Sequence, residues 1–153
     1  MTGFVADTPE RNEHPINNTG FWPDIDPEHC RRVVRLPSDI TAPRLREALI
    51  NAMLSVNLDN AAWGAQQQAD SYATLADIPA DQIDGNSIKV SLYRRAVYCF
   101  AKADLLDRYA DIDSTGSAER GQLHTDTADD YRRQGILAVR NMIGQPLTSV
   151  ELI

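Results

Sequence analysis

From residue 21 onward the apolar positions of this chain recur at three- and four-residue spacing, the period of a helix packed on one face. The strongest run follows Asn86-Ser87, which reads as a cap. Ile88, Leu92, Ala96, Cys99, Phe100, Ala103, Leu106 and Ala110 keep that spacing over about six turns. A second long run opens at Thr41-Ala42-Pro43. Leu45, Leu49, Ala52, Val56 and Trp63 share one stripe, with Ala48, Met53 and Leu58 widening it. It predicts a helix of roughly 40 Å reaching Ala69, with Gly64 its weakest point. Two shorter helices complete the set. One starts at Asp26-Pro27-Glu28, an N-cap, a first-turn Pro and an acid at the positive end, and runs to Arg35 before Pro37 stops it. The other runs from about His124 to Ile143 on Ala128, Tyr131, Ala138, Val139 and Met142. Gly144 supplies a left-handed end to it and Pro146 blocks restart.

The intervening stretches lack this period. Residues 70–85 are Asp-rich, with a Pro and a Gly, and read as a loop pinned by Leu75, Ile78 and Ile83; residues 111–121 are a small, polar linker. Residues 1–20 are polar, with turn formers and no amphipathic face, so they read as a flexible arm. The last residues form a short apolar-rich extended tail. No strand pair, repeat or low-complexity block is evident. The expected architecture is all-α: an arm (1–20), an up-down bundle of about four helices (21–144) and an extended C-terminal tail (145–153).

Composition narrows the class. With 153 residues, 42% hydrophobic and 24% charged, the chain fits one globular domain that needs no disulfide staples; it has two cysteines. Its net charge of −7 argues against a protein that neutralises a phosphate backbone. No apolar run reaches the roughly 20 residues of a membrane span, and residues 1–20 lack the apolar core of a signal peptide. The expectation is a soluble, acidic, intracellular domain that does not bind membranes.

No catalytic set emerges. Cys99 falls on the apolar stripe and reads as core. Cys30 is adjacent to His29, but neighbouring helical residues point about 100° apart, so the two do not form a dyad. His14, His29 and His124 share no helical face, and Asp111-x-Asp113-x-Thr115-Gly116 copies only half a calcium loop, with Gln122 where a bidentate Glu belongs. Gly85-Asn86-Ser87-Ile88-Lys89 lacks the glycine spacing of a phosphate loop. Acid pairs such as Asp24/Asp26, Asp81/Asp84 and Asp129/Asp130 sit mostly in loops or at helix starts, where a carboxylate caps a helix or complements its dipole. No metal or cofactor is expected. The paired arginines (Arg31/Arg32, Arg44/Arg46, Arg94/Arg95, Arg132/Arg133) are spread over all the helices, as solvated faces or interface ion-pair partners. The two ends are the exception to this bland picture. Phe21, Trp22 and Ile25 at one end, and Leu147, Val150, Leu152 and Ile153 at the other, are large apolar groups in segments too short to bury them alone. Each set packs on its own bundle or docks on a neighbour.

Several blocks resemble one family. Phe21-Trp22-Pro23-Asp24-Ile25-Asp26-Pro27, then Thr41-Ala42-Pro43-Arg44-Leu45-Arg46-Glu47-Ala48, are similar to the phage head completion proteins of contractile-tailed temperate phages. The similarity continues through Leu75-Ala76-Asp77-Ile78-Pro79-Ala80-Asp81-Gln82-Ile83-Asp84-Gly85, Ser87-Ile88-Lys89-Val90, Arg95-Ala96-Val97 and Gly144-Gln145-Pro146. Trp22 departs from it, standing where a second Phe is expected. The resemblance covers about residues 21–153 and implies a structural virion protein, not an enzyme: a head–tail connector adaptor, made in the host cytoplasm. Such a protein binds the portal protein after DNA packaging, helps retain the genome and offers a surface to a neck or tail-completion protein. It also implies a homo-oligomeric ring, a dodecamer matching the portal, with genomic DNA passing through the lumen without specific binding. On that reading Phe21, Trp22, Ile25, Leu147, Val150, Leu152 and Ile153 bind the portal or a neighbouring subunit. Arg94 and Arg95 face Asp81 and Asp84 across the ring contact. Two other classes stay open: a small helical DNA-packaging accessory or DNA-binding protein, which requires a basic face, and a carboxylate-dependent hydrolase, which no spacing supports.

Overall fold

The computed structural model of the chain describes residues 13–37, 39–113 and 126–145. Among these it is mostly helical, with helices α1 (Pro27–Val33), α2 (Ala42–Asp59), α3 (Ala61–Ala69), α4 (Ile88–Asp113) and α5 (Ala128–Ile143). A single 3₁₀ turn at Leu75–Asp77 and two short strands, β1 (Gln82–Ile83) and β2 (Asn86–Ser87), lie between α3 and α4.

Asp26 and Gly144 cap their helices as the sequence reading expects, and Thr127 adds a cap that reading lacked. Asp26 accepts from the Glu28 backbone N–H at 2.9 Å and opens α1, which ends at Val33, two residues short of the expected Arg35. Thr127 and Asp130 make a reciprocal capping box at the start of α5. The backbone hydrogen bond from Thr127 is the main cause holding the Asp130 carboxyl below its usual range. Gly144 closes α5 in the left-handed region at φ 75°, where a glycine carries no Cβ penalty. The expected start at His124 lies outside the described residues.

Three expectations are corrected. The long second helix is two helices, broken at Asn60 and not at Gly64. The buried Asn60 amide donates to the Val56 carbonyl at 2.8 Å, competing with the backbone ladder, and its φ/ψ of −113°/15° turns the axis. A strand pair exists after all. Asp84 (φ 51°) and Gly85 (φ 73°) form a two-residue turn with both central residues left-handed, pairing Gln82 with Ser87 and Ile83 with Asn86. Leu58 and Ile83, expected to face the core, are 72% and 71% exposed. Leu58 lies thirteen residues past Leu45, about 220° round the helix and so on the far side of the stripe. Ile83 sits on the outer side of the hairpin, whereas Leu75 and Ile78 are buried as expected.

The body also begins earlier than residue 21. Ile16 and Ile25 exchange backbone hydrogen bonds at 2.7 and 3.1 Å. Glu13 is buried against Arg31, whose Nε lies 2.8 Å from both carboxylate oxygens, and Arg31 also donates to the Ile40 carbonyl at 3.0 Å. A buried ion pair of this kind demands its geometry, since either partner alone would be a stranded charge. Residues 13–20 are therefore part of the packed unit.

Helix α4 is the centre of the bundle. Val90, Tyr93, Val97 and Ala101 join the stripe read from the sequence, so it is buried over much of its circumference. Tyr93 is fully buried and stacks on Trp22 at 5.3 Å and 17°. Its hydroxyl donates to Asn57 Oδ1 (2.7 Å), Asn57 donates to Asn18 Oδ1 (2.8 Å), and Asn18 donates back to the Tyr93 oxygen (2.8 Å). This closed ring ties the N-terminal segment to α2 and α4. Trp22 stacks in turn on Trp63 and meets Phe21 edge-on. Gly64 makes room for the pair: a Cβ there would lie 3.3 Å from Trp22 and 3.4 Å from Phe21. On the other side α5 runs antiparallel to α4. Lys89 donates to the Met142 carbonyl, Gly135 lies against Phe100, and Arg132 pairs with Asp107.

Two outcomes test this packing. Burial pushes the Tyr93 hydroxyl up to about 12 and, likewise, the Cys30 thiol up to about 12. Both groups are held neutral, so the stability they contribute is complete below their unfolded values, about 8.5 for Cys and 10 for Tyr, and is lost as pH rises through the folded ones. The urea midpoint is expected to be flat to about pH 8, to decline above that and to fall most steeply above about pH 10. Tyr93→Phe shallows that decline and costs about 1–2 kcal/mol at neutral pH by leaving Asn18 and Asn57 short of a partner. At the α4–α5 crossing, an alanine Cβ at Gly135 would lie 2.8 Å from the Phe100 ring. Gly135→Ala is expected to destabilise by about 1–2 kcal/mol despite its gain in helix propensity, and to stabilise by up to about 1 kcal/mol in a Phe100→Ala background. A denaturant double-mutant cycle reads the change of sign.

Candidate docking groove

Among the described residues helix α4 is flanked by α5, α2 and α1, which leave one strip of it uncovered. Ser91, Arg95 and Cys99 fall on this strip at i, i+4 and i+8, with Arg94 and Tyr98 beside them. The strip floors a groove of about 400 Å³. One wall carries His29 and Val33 of α1 with Val34 following it; Tyr131 of α5 forms the other, and Asn86 of β2 sits at one end. The groove is apolar in its depth and basic at its rim.

The groups in it are positioned by the fold. His29 Nδ1 lies 2.8 Å from the Tyr98 hydroxyl. Beyond the groove Lys102 donates to the Arg35 carbonyl and lies 4.6 Å over the Tyr131 ring, so the segment after α1 is braced to α4 and α5 there. Burial raises the Tyr98 hydroxyl and the Cys99 thiol above their ordinary values. Cys99 is thus a neutral thiol at physiological pH and Cys30 is sealed in the core, so neither is an activated nucleophile. Among the described residues no three His, Cys, Asp or Glu side chains come together as a metal site requires, and no helix is long and apolar enough to cross a membrane. Residues 111–113, half of the calcium-loop pattern, belong to the last turn of α4.

The residues singled out from the sequence divide into groups. Arg94 and Arg95 meet in this groove. Asp81 and Asp84 are exposed on the hairpin and do not line it. Phe21 and Trp22 are each 7% exposed and Ile25 is fully buried, so their large faces are used within the chain. The edges of Phe21 and Trp22 still floor a second hollow of about 590 Å³, with Thr19, Leu58, Ala61, Ala65 and Gln68 round it. Leu147, Val150, Leu152 and Ile153 lie outside the described residues. Sequence reading missed the exposed apolar residues Val33, Leu54, Ile136 and Leu137. For Leu54 the signal was present: nine residues beyond Leu45, it points about 180° from the stripe.

Since Arg94 and Arg95 line the groove and pair with no carboxylate among the described residues, they are expected to matter little to the isolated fold. Arg94→Glu with Arg95→Glu should leave the unfolding free energy within about 0.5 kcal/mol of the parent, measured by circular dichroism in urea.

The chain is 38% identical over 150 residues to the head completion/stabilization protein of Escherichia phage P2, covering 97% of this chain and 89% of that one. It is 28% identical over 106 residues to a probable head completion/stabilization protein of Haemophilus phage HP1 (strain HP1c1), covering 69% and 71%. No solved structure matches. Residues 16–153 match the family described as phage head completion protein (GPL), beginning at the Ile16 that pairs with Ile25, and the chain belongs to that family.

Proposed function

We propose that this protein is a structural adaptor of the phage head–tail connector. It binds the portal vertex after DNA packaging, helps retain the genome and presents a surface to the neck or tail-completion protein. It acts as a ring, a dodecamer matched to the portal, in the virion, after synthesis in the host cytoplasm. Family membership across almost the whole body is the observation that carries this reading.

The geometry supports it in a specific way. A ring requires heterologous contacts, in which two different patches of one subunit complement each other. Here a basic groove lies on the open strip of α4, and acidic Asp81 and Asp84 stand exposed on the hairpin; these are the proposed ring contacts. The hollow over Phe21 and Trp22, rimmed by exposed Leu58, and the segment with Leu147, Val150, Leu152 and Ile153 are the proposed portal contacts. A DNA-binding role is less well supported. Arg31, Arg108, Arg132 and Arg133 are each paired with a carboxylate, and the net charge is −7, so DNA passes the lumen without specific binding.

Size-exclusion chromatography with light scattering, on the protein alone and mixed with portal assemblies, tests the proposal. Ring-sized co-migration with portal is expected, and Asp81→Lys with Asp84→Lys should abolish it. A protein that ignores portal at every salt concentration would overturn the reading. Retention by DNA at low salt, lost steeply as salt rises, would favour the packaging-accessory alternative.

A further inference from the structure

We infer that Ile83, on the outer side of the β1–β2 hairpin, is the apolar anchor of the contact between copies of this chain. It seats in the Arg94/Arg95 groove of the next copy, beside Val33 and Tyr98. This contact rests on the ring reading and deepens it, giving a pairing of charges a hydrophobic centre. Three observations carry it.

The first is how the hairpin holds Ile83. The side chain is 71% exposed, yet the element beneath it is fixed. The Ile88 backbone N–H donates to the Asp81 carbonyl at 3.0 Å, tying the base of the hairpin to the first residue of α4. Asn86 Nδ2 donates to the Asp84 carbonyl at 3.0 Å across the turn. Leu75 and Ile78, just before the hairpin, are buried in the body. Ile83 is therefore presented by a preorganised element, which loses little conformational freedom on docking.

The second is charge. A single exposed isoleucine is ordinary on a protein surface, but this one is bracketed by exposed Asp81 and Asp84. No basic residue lies between Asp70 and Lys89. The groove repeats the arrangement with the opposite sign: Arg94 and Arg95 stand beside Tyr98 and Val33, which is 57% exposed. Neither arginine pairs with a carboxylate among the described residues. On a chain of net charge −7, an acidic knob from another copy is favoured where the local charge opposes the net field. The ion pairs fix orientation, and the desolvated apolar centre supplies affinity.

The third is placement. Ile83 pairs with Asn86, which stands at one end of the groove. Cys99 in the groove floor lies eleven residues beyond Ile88, about 16 Å along the axis of α4. The hairpin, held at its base, does not reach that floor in its own chain. Knob and seat are thus separate patches of one subunit, as a head-to-tail contact requires.

Cys99 makes the test direct, because the chain's other cysteine, Cys30, is sealed in the core. Full-length Ile83→Cys, saturating on portal assemblies, would be treated with a mild thiol oxidant and the products read by electrophoresis and peptide mapping. Position 83 is expected to link to Cys99 of the next copy, giving a ladder of joined chains. Without oxidation, Ile83→Ala should weaken ring formation on portal at least about tenfold, the effect of losing one buried aliphatic anchor, and Ile83→Leu should keep it. A ring that forms without the link, links that stop at pairs or close within one chain, or Ile83→Ala assembling like the parent overturns the inference and leaves the adaptor reading standing. A parent protein that ignores portal overturns the adaptor reading and this contact with it.

Discussion

The fold hinges on the burial of one polar aromatic, Tyr93. Its ring stacks on Trp22 while its hydroxyl is fully withdrawn from water, and an unpaired buried hydroxyl would cost on the order of 1–3 kcal/mol. Asn18 and Asn57 remove that cost by closing a three-membered hydrogen-bond ring with it. The requirement propagates outward. Asn18 must stay close to α2 and α4, which holds the chain from Ile16 to Ile25 in the bundle and sets Phe21 and Trp22 against Gly64. With Glu13 paired to Arg31 further back, the N-terminal segment is a structural member of the fold.

Helix α4 gains its role from the same arrangement. Tyr93 bonds Asn57 of α2, Tyr98 meets His29 of α1, and Phe100 meets α5 across Gly135. Three helices, each about 10 Å wide, cannot enclose a fourth completely, so among the described residues a strip stays open. Its position follows from which sides are taken. The groove is a residue of packing, and the arginines on that strip turn it into a basic one.

How much of this could be read in the sequence depended on range. The caps at Asp26, Thr127 and Gly144 involve neighbours within four residues, and the first and last of them were legible directly. The hairpin was legible in principle from Asp84-Gly85, whose left-handed pair is what a two-residue turn needs, but the Asp-rich context reads as loop. Leu58 was misplaced by treating it as an edge of a stripe that it opposes. Asn60 broke its helix through a side-chain bond to Val56 that propensity does not announce. Asn18 bonds residues 39 and 75 positions away, and no local pattern encodes such a contact. The groove was invisible for the same reason: Val33, Arg95 and Tyr131 lie on three different helices.

Charge gives the groove its meaning. A chain at −7 repels its own copies at long range, and screening shortens that repulsion to about 8–10 Å. Close approach of two subunits is then favourable only where local charge opposes the net field. Arg31, Arg108, Arg132 and Arg133 are spent on internal acids, which leaves them little to offer a partner. Arg94 and Arg95 stand beside apolar Val33 and Tyr98, so an acidic, apolar segment there would bury hydrocarbon and neutralise charge together. In the proposed ring, a surface with both properties on an otherwise acidic subunit would select the orientation in which copies or partners meet, and orientation is what a closed assembly requires of each contact.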